Sequence, residues 1–391
     1  MERKESIAFG NSKLGFGCMR LPMSSGTVGM DGVVDSEQFQ QMVDLFLAAG
    51  GCYFDTAHGY ISGKSEPALK QCLVERYPRE AYLLTNKLTK DFFTCKADIK
   101  PFFEQQLELT GVTYFDYYLM HSLTADLYQE FCDCQAFSVA KELRATGKIH
   151  HLGISFHDQP KLLEQILSEH PEIEVVQIQF NYADYDDTSI QSRAVYEVCR
   201  SFNKPIIVME PVKGGSLAEL PPKAARILDA LHGGSHASYA IRYAASFPGV
   251  ELVLSGMSSL EQMRDNLSFM RSFIPLNEQE YAAVEQVREI LKQQDTIPCT
   301  ACHYCTGGCP QRIMIPELFS CLNAKKAYDN WNSDFYYGVN TGNGRGKASA
   351  CIKCGKCERS CPQHLPITKL LEEVAAIFEQ EDDPGEAEAN S

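Results

Sequence analysis

The sequence lacks the segments by which a protein enters or crosses a membrane. No basic stretch followed by an apolar one opens the chain, and no uninterrupted apolar run is long enough to span a bilayer. We therefore expect a cytoplasmic protein with no membrane partner, in a compartment that keeps thiols reduced. Disulfide bonds are accordingly disfavoured for its 16 cysteines.

Excess positive charge is also missing. The 391 residues include 36 lysines and arginines against 51 aspartates and glutamates, which gives a formal net charge of -15. Nucleic-acid binding depends on clustered basic side chains, so we expect no nucleic-acid partner. The glycine-rich stretch 338–346 lacks the GxxxxGK[ST] and GxGxxG spacings of phosphate-binding loops. It is interpreted as a surface loop beside a helix.

What the chain does contain is two runs of cysteine with one spacing, C-x2-C-x2-C-x3-C-P. This is the spacing of bacterial ferredoxins, in which the first three cysteines of a run hold one 4Fe-4S cluster and the fourth binds the other cluster. Zinc sites need only four ligands, so two such blocks exceed that requirement. The spacing predicts two 4Fe-4S clusters, one on Cys299, Cys302, Cys305 and Cys361 and the other on Cys351, Cys354, Cys357 and Cys309.

Ahead of the cysteines, short apolar runs alternate with segments of helical period, which is typical of β/α units around a parallel sheet. Eight candidate strands in about 275 residues match the size of a (β/α)8 TIM barrel. A hairpin over 7–14 is predicted to close its bottom. The candidate strands are 14–21, 51–55, 82–87, 114–121, 151–155, 175–180, 206–210 and 252–255.

The chain is expected to divide into an α/β barrel and a smaller, α-rich ferredoxin-like domain. With 44% apolar residues it can bury a large core. Asn277, with Glu280 three residues on, predicts a capping box at the start of a helix. The expected parts are the barrel over 1–275, a connecting helix over 276–297, the dicluster domain over 298–375 and an acidic, disordered tail over 376–391.

Four polar residues fall where the predicted strands end, which is where barrels of this type carry their chemistry. They are Asp55, Tyr60, Lys87 and His121. A lysine beside a tyrosine favours the ionised phenol, so that the tyrosine can protonate a carbonyl oxygen. Asp55 could hold the lysine, and His121 could orient the substrate oxygen. Buried ion pairs also occur simply as packing features, but four such groups on adjacent strands favour a catalytic site.

These residues lie in segments that resemble the aldo-keto reductase superfamily. The segments are FDTAHGY (54–60), GKSE (63–66), LTNK (84–87) and DYYLMH (116–121), and the likeness runs from about residue 14 to 269. The resemblance implies that Asp55, Tyr60, Lys87 and His121 reduce carbonyls with a nicotinamide hydride. The whole chain resembles the branch of that superfamily that carries a C-terminal ferredoxin-type domain.

The resemblance is weaker in the cofactor pocket. The family grips the nicotinamide carboxamide with a Ser-Asn pair and a glutamine, and this chain offers Ser155, followed by Phe156, and Gln177. Glu210 stands where the family places an aromatic ring under the nicotinamide. An acidic residue cannot stack in that way.

The phosphate end of the pocket departs from the family as well. Gly256 stands in place of the family's phosphate-binding lysine, whereas Asn266 matches an asparagine that faces the adenine. Lys213 and Gly214 lie in a loop after a late strand, where barrels commonly bind phosphate. They are therefore candidate contacts for NADP(H).

Three functions remain open on the sequence. In the first, NADP(H) reduces a carbonyl or conjugated small molecule with Tyr60 as general acid, and the clusters are structural or regulatory. In the second, a ferredoxin or flavodoxin feeds the clusters, and a flavin occupies the barrel because clusters cannot give a hydride. In the third, the protein is a redox sensor or electron-transfer partner without catalysis.

Overall fold

A computed structural model of the chain describes residues 9–25, 32–187, 190–293, 296–328, 332–342 and 344–379. It forms two compact units, Met1–Gln293 and Gln294–Ser391. Ile7 and Ala8 of the predicted hairpin, and residues 380–391 of the predicted tail, lie outside the described residues. Residues 376–378 of that tail end the helix Ile367–Phe378, so the disorder predicted for them is wrong. None of the helices in these ranges combines the length and hydropathy that a membrane-spanning helix needs.

The first unit is a closed barrel of eight parallel strands, in the order β1-β10-β9-β8-β7-β6-β5-β4. The predicted (β/α)8 fold is therefore confirmed. A separate two-stranded antiparallel sheet, β2 with β3, was not predicted from the sequence. The strands are β1 Leu14–Gly17, β2 Met23–Ser25, β3 Val33–Val34, β4 Tyr53–Asp55, β5 Leu83–Leu88, β6 Phe115–Leu123, β7 Ile149–Phe156, β8 Val175–Gln179, β9 Ile206–Met209 and β10 Val250–Ser255.

Helices follow the barrel strands and cover their outer faces. They are α1 Ser36–Ala48, α2 Ser65–Leu69, α3 Lys96–Thr110, α4 Ala125–Asp133, α5 Ala136–Ala145, α6 Pro160–Glu169, α7 Ser192–Ser201, α8 Pro222–Asp229, α9 His236–Ala245, α10 Leu260–Met270 and α11 Glu278–Lys292. A π-helical turn, Lys70–Val74, continues α2. Between α4 and α5, Gln135 adopts a left-handed conformation with φ of 55°, which separates the two helices.

Helix α11 begins with the predicted capping box. The Asn277 side chain accepts from the Glu280 N–H, and the Glu280 carboxylate accepts from the Asn277 N–H over 2.8 Å. Glu280 also pairs with Arg242 of α9 at 2.7 Å. Because Val284 and Val287 of α11 belong to the main apolar core of the barrel, the helix packs as part of the first unit.

The second unit has its own apolar core, which includes Leu318, Phe319, Leu322 and Leu371. Its helices are α12 Tyr304–Gly307, α13 Ile315–Tyr328, α14 Asn332–Thr341, α15 Lys356–Arg359 and α16 Ile367–Phe378. Helix α14 runs through Gly338, so the loop predicted over 338–346 is wrong for its first four residues. A β-bridge joins Ile313 to Gly346. It brings together the two ends of the segment that separates the cysteine runs.

Candidate active site and cluster sites

The inside of the barrel is layered. Side chains on a strand alternate between the two faces, so every second residue points inward. The lower layer is apolar and includes Tyr53, Leu119 and Val175. Two residues further along the same strands come Asp55, His121 and Gln177, all buried. The period of two therefore places these polar groups together above the apolar layer, at the carboxyl end of the barrel.

Lys87 is the centre of this polar layer. Its ammonium donates to Asp55 Oδ1 over 2.5 Å, to the Thr56 carbonyl over 2.9 Å and to the Tyr60 hydroxyl over 3.0 Å. An ammonium has three donors, and these three acceptors use all of them. Since Lys87 is fully buried, this complete set of partners offsets the cost of removing its charge from water.

The loop after β4 fixes Tyr60 over Lys87. The Tyr60 N–H donates to the Ala57 carbonyl over 3.0 Å, and the Ser65 hydroxyl at the start of α2 binds both Thr56 and the Cys18 carbonyl. Ile61 has a left-handed φ of 54°, a conformation rare for branched side chains and typical of functional turns. The Lys87 nitrogen lies 4.7 Å from the centre of the Tyr60 ring.

His121 stands beside this pair. Its ring centre is 5.9 Å from that of Tyr60, and its Nδ1 forms a 2.7 Å hydrogen bond with the Thr89 hydroxyl. Burial lowers the pKa of His121 well below its ordinary value, with further lowering by the charge of Lys87. The imidazole is therefore neutral at physiological pH and can offer an N–H without competing as a strong acid.

A buried polar network supports the layer, and sequence reasoning missed it. Glu66 accepts from Asn86 over 2.7 Å, from Gln106 over 3.3 Å, and pairs with His58 at 2.7 Å. Gln106 also donates to the Lys87 carbonyl over 3.0 Å. The network ties α2 and α3 to strand β5, so it holds the backbone that carries Lys87. Glu66 and Asn86 lie within the quoted segments, but their connection to Gln106 depends on the tertiary fold.

Ser155 and Gln177 are both brought to the polar layer. Each is almost completely buried, and their Cα atoms are paired across β7 and β8. Gln177 donates to Asp55 Oδ2 over 3.1 Å. The amide predicted to bind a carboxamide is thus also the second partner of the Asp55 carboxylate.

Glu210 follows β9 with a left-handed φ of 57°. Its Oε2 is buried and has no hydrogen-bond partner in the described structure. Burial raises the pKa of this carboxyl group, while Arg20 and Lys213 act in the opposite direction. A buried polar oxygen without a partner is unusual in a folded protein, and here it provides a position that a bound ligand could satisfy.

The remaining cofactor candidates, Lys213, Gly214 and Asn266, already have partners within the protein. Lys213 forms an ion pair with the buried Asp184, so its charge is already engaged, and the Gly214 N–H donates to the Glu210 carboxyl group. Asn266 donates to the Ser255 hydroxyl over 2.7 Å at the end of β10. A phosphate would have to displace Asp184 to pair with Lys213.

Arg20 is a further basic residue at this site, and sequence reasoning did not select it. Its side chain lies along Gly256, where a Cβ atom on the glycine would stand 3.6 Å from the Arg20 Cβ. Its charge also reaches Glu210. Arg20 therefore supplies positive charge at the place where the expected lysine is replaced by Gly256. Its position three residues beyond β1, at the barrel's carboxyl end, was the available signal.

Two cavities in the second unit reproduce the predicted cysteine sets. One is lined by Cys299, Cys302, Cys305 and Cys361. The other is lined by Cys351, Cys354, Cys357 and Cys309. Each cavity thus receives three cysteines from one run and the fourth from the other run. This donor set fits a cubane cluster, in which each of four thiolates binds a different iron.

The two units match two known families. The sequence profile of the aldo/keto reductase family matches residues 13–289. A profile of the 4Fe-4S dicluster domain matches residues 298–366. A comparison with curated proteins finds no match.

Solved structures share the barrel fold at low sequence identity. An aldo-keto reductase from Bacillus halodurans in its holo form is 22% identical, with a TM-score of 0.56 over 70% of this chain and 91% of that one. One from Klebsiella pneumoniae in complex with NADPH is 20% identical, with a TM-score of 0.57 over 71% and 90%. A thermostable aldo-keto reductase, Tm1743, in complex with the inhibitor epalrestat is 22% identical, with a TM-score of 0.56 over 73% and 100%.

Proposed function

The chain belongs to the aldo/keto reductase family, and we propose that its barrel reduces the carbonyl group of a small organic molecule, with NADPH as the hydride donor and Tyr60 as the proton donor. The family and the dicluster domain make it an oxidoreductase with a 4Fe-4S domain. The observation that carries the proposal is the set of three hydrogen bonds from Lys87 to Asp55, Thr56 and Tyr60.

The direction of these hydrogen bonds suits Tyr60 for acid catalysis. Because its oxygen accepts from Lys87, the proton of its own hydroxyl is the one that it can donate. When that proton passes to the substrate oxygen, the negative charge left on Tyr60 faces the ammonium at 3.0 Å. Asp55 keeps the ammonium in place, so the stabilising charge is oriented before the reaction.

His121 is proposed to position the substrate oxygen. A neutral imidazole whose Nδ1 accepts from the Thr89 hydroxyl carries its proton on Nε2 and can donate from there. In this arrangement, Thr89 selects the tautomer and His121 directs the carbonyl oxygen towards Tyr60. Burial lowers the pKa of His121, so the imidazole carries no extra proton to give. The proton that the substrate oxygen receives therefore comes from Tyr60.

The nicotinamide cofactor would supply the hydride. Ser155 and Gln177 would hold its carboxamide, and the unpartnered Glu210 oxygen offers a further polar contact. Arg20, beside Gly256, would face its anionic phosphates. Lys213 fits this role less well because it is paired with Asp184.

A second candidate is a reductase fed by a ferredoxin or flavodoxin. The two four-cysteine cavities favour it, because 4Fe-4S clusters transfer single electrons. A flavin in the barrel would belong to this candidate, since reduction of a carbonyl needs two electrons. The residues around Phe156, Glu210 and Gly256 also depart from the family's nicotinamide pocket.

The first test is NADPH oxidation by anaerobically purified protein with a panel of aldehydes and ketones. Tyr60→Phe should lower turnover by about 10²- to 10⁴-fold, the range for loss of a general acid. Tyr196→Phe is the control, because its hydroxyl binds the Pro248 carbonyl on the outer side of the barrel. Equal turnover in the Tyr60→Phe variant would show that Tyr60 is not the acid.

A second measurement separates the two candidates. Cys302→Ser should leave NADPH-linked turnover intact if the clusters are structural or regulatory. If the natural protein turns over with reduced ferredoxin but not with NADPH, and a folded Cys302→Ser protein loses that turnover, the second candidate is the correct one.

A further inference from the structure

We propose that the loop around Cys354 is the docking surface for a small acidic ferredoxin. The surface is defined by Ile352, Lys353, Lys356 and Arg359, and we call it the basic loop. The inference rests on the proposed function, because it assumes that the cysteine cavities hold clusters, and it names a protein partner for them.

The local charge is opposite to that of the chain. The whole sequence carries a net charge of -15, yet residues 344–360 contain five basic residues and a single acid, Glu358. The Glu358 carboxylate accepts from the N–H and the hydroxyl of Thr368, both over 2.8 Å, at the start of α16. It therefore serves a helix terminus, and in the described part of the chain it forms no ion pair with the basic side chains of the loop.

One of these basic side chains lines the second cysteine cavity, and the other two lie next to residues that line it. Lys353 and Lys356 flank Cys354 and Gly355 in sequence, and Lys356 itself lines the cavity. The Arg359 guanidinium lies close to Gly355, 3.4 Å from where a Cβ atom would stand. A positive field around a redox site attracts an acidic partner and orients it on approach.

The two cysteine runs differ in exposure. Within 351–357, Ile352, Lys353, Cys354 and Lys356 are exposed, whereas within 299–305 only Ala301 is exposed. The cavity of the second run is therefore the one that a partner protein can approach through the basic loop.

An exposed apolar side chain precedes these charges in the sequence and shares the cavity lining with Lys356. Ile352 is 59% exposed and also lines the cysteine cavity. An apolar contact ringed by charged groups is the usual anatomy of a protein–protein interface. A partner that contacts Ile352 is therefore separated from the cavity only by this side chain.

The charges are available for a partner. Lys353 pairs with Glu372, but the side chains are 64% and 56% exposed, and such surface pairs contribute little stability. A carboxylate on an incoming protein can replace Glu372 at small cost. The cysteine cavity favours a one-electron carrier over a nucleic acid or an anionic membrane, because neither of these exchanges electrons with a cluster.

The test is binding of a purified acidic ferredoxin to the full-length holoprotein, measured by titration calorimetry at low and at physiological salt. Lys353→Glu combined with Arg359→Glu, two exposed residues of the basic loop outside the cavity lining, should weaken the affinity by about tenfold or more. The matched control is Lys161→Glu with Lys223→Glu, two exposed barrel lysines and the same change in net charge. The visible absorption of each variant shows whether its clusters are retained.

The expected result is binding that weakens with salt, is lost in the loop variant and is kept in the control. The proposal is overturned if the ferredoxin does not bind, if both double variants weaken binding equally, or if a basic cytochrome of similar size binds as well. These outcomes are independent of the carbonyl chemistry, because the loop variant should retain its NADPH-linked turnover. Loss of turnover in Tyr60→Phe with unchanged ferredoxin binding would separate the two claims.

Discussion

The Lys87 ammonium donates a 3.0 Å hydrogen bond to the Tyr60 hydroxyl while it also pairs with Asp55 at 2.5 Å. All three groups are at least nine-tenths buried. The lysine thus joins a buried carboxylate to the tyrosine that the loop after β4 holds in place, and it does so in a setting where charge interactions are poorly screened.

The first prediction concerns this ion pair. Lys87→Met should abolish turnover and lower the free energy of unfolding by about 3 to 5 kcal/mol, because it leaves the Asp55 carboxylate buried without its cation. Asp55→Asn combined with Lys87→Met should recover part of that stability, since the uncompensated charge is removed, but none of the activity. Chemical denaturation and NADPH turnover measure both effects. Equal stability of the single and double variants would contradict the account.

The second prediction concerns the Thr89 hydroxyl. Thr89→Val should lower kcat/KM by about tenfold, because loss of a hydrogen bond of about 1 kcal/mol leaves the tautomer and orientation of His121 unfixed. Thr89→Ser keeps the hydroxyl and should restore most of the activity. Failure of serine to restore it would mean that the threonine acts through packing, and not through Nδ1 of His121.

The Lys87–Asp55 ion pair and the Thr89–His121 hydrogen bond show what the sequence could and could not reveal. The position of Lys87 and His121 near the carboxyl ends of β5 and β6 follows from the predicted strands 82–87 and 114–121. The hydrogen-bond and ion-pair partners of site residues could not be predicted in this way. Thr89 binds His121 across 32 residues, and Asp184 pairs with Lys213 across 29 residues. Such pairs depend on how loops meet at the barrel's open end, which no local pattern encodes.

The same limit explains the errors in secondary structure. Gly338 has a low intrinsic preference for helix, but α14 runs through it to Thr341, so the context of the second unit outweighs that preference. The cysteine sets follow from the ferredoxin spacing, in which the fourth cysteine of each run joins the other set. The two cavities are lined by these same sets of residues.

The third prediction concerns pH and Glu210. Burial raises the pKa of its carboxyl above the ordinary value of 4.5, so the folded state binds the proton more tightly than the unfolded state. The contribution of this group to stability is therefore present at low pH and is lost as the pH rises through the folded-state pKa. Glu210→Gln should become progressively more stable than the natural protein with rising pH.

Thermal unfolding at several pH values between about 4 and 8 measures this difference. Glu219→Gln is the control, because Glu219 is an exposed acid on the same segment. A stability difference between Glu210→Gln and the natural protein that does not grow with pH would show that the carboxyl is not held neutral by the fold.

The fourth prediction concerns which cysteines share a cluster, because each cluster is expected to take three ligands from one run and the fourth from the other. Cys309→Ser and Cys354→Ser should perturb the same cluster, and Cys361→Ser and Cys302→Ser the other, because these pairs line the same cavities. Iron content should fall by about half in each variant. Cys321→Ser is the control, since this buried cysteine of the second unit lines neither cavity. Electron paramagnetic resonance of the reduced proteins distinguishes the two clusters, and pairing by run would contradict the prediction.

The most direct test of the central claim follows the hydride itself. The protein is given NADPH deuterated at the transferring position of the nicotinamide, together with a carbonyl substrate, and the alcohol is analysed by mass spectrometry. The account predicts a single deuterium on the former carbonyl carbon, and little product from Tyr60→Phe. Alcohol that carries no deuterium, formed with reduced ferredoxin present, would contradict the claim that NADPH delivers the hydride in this barrel.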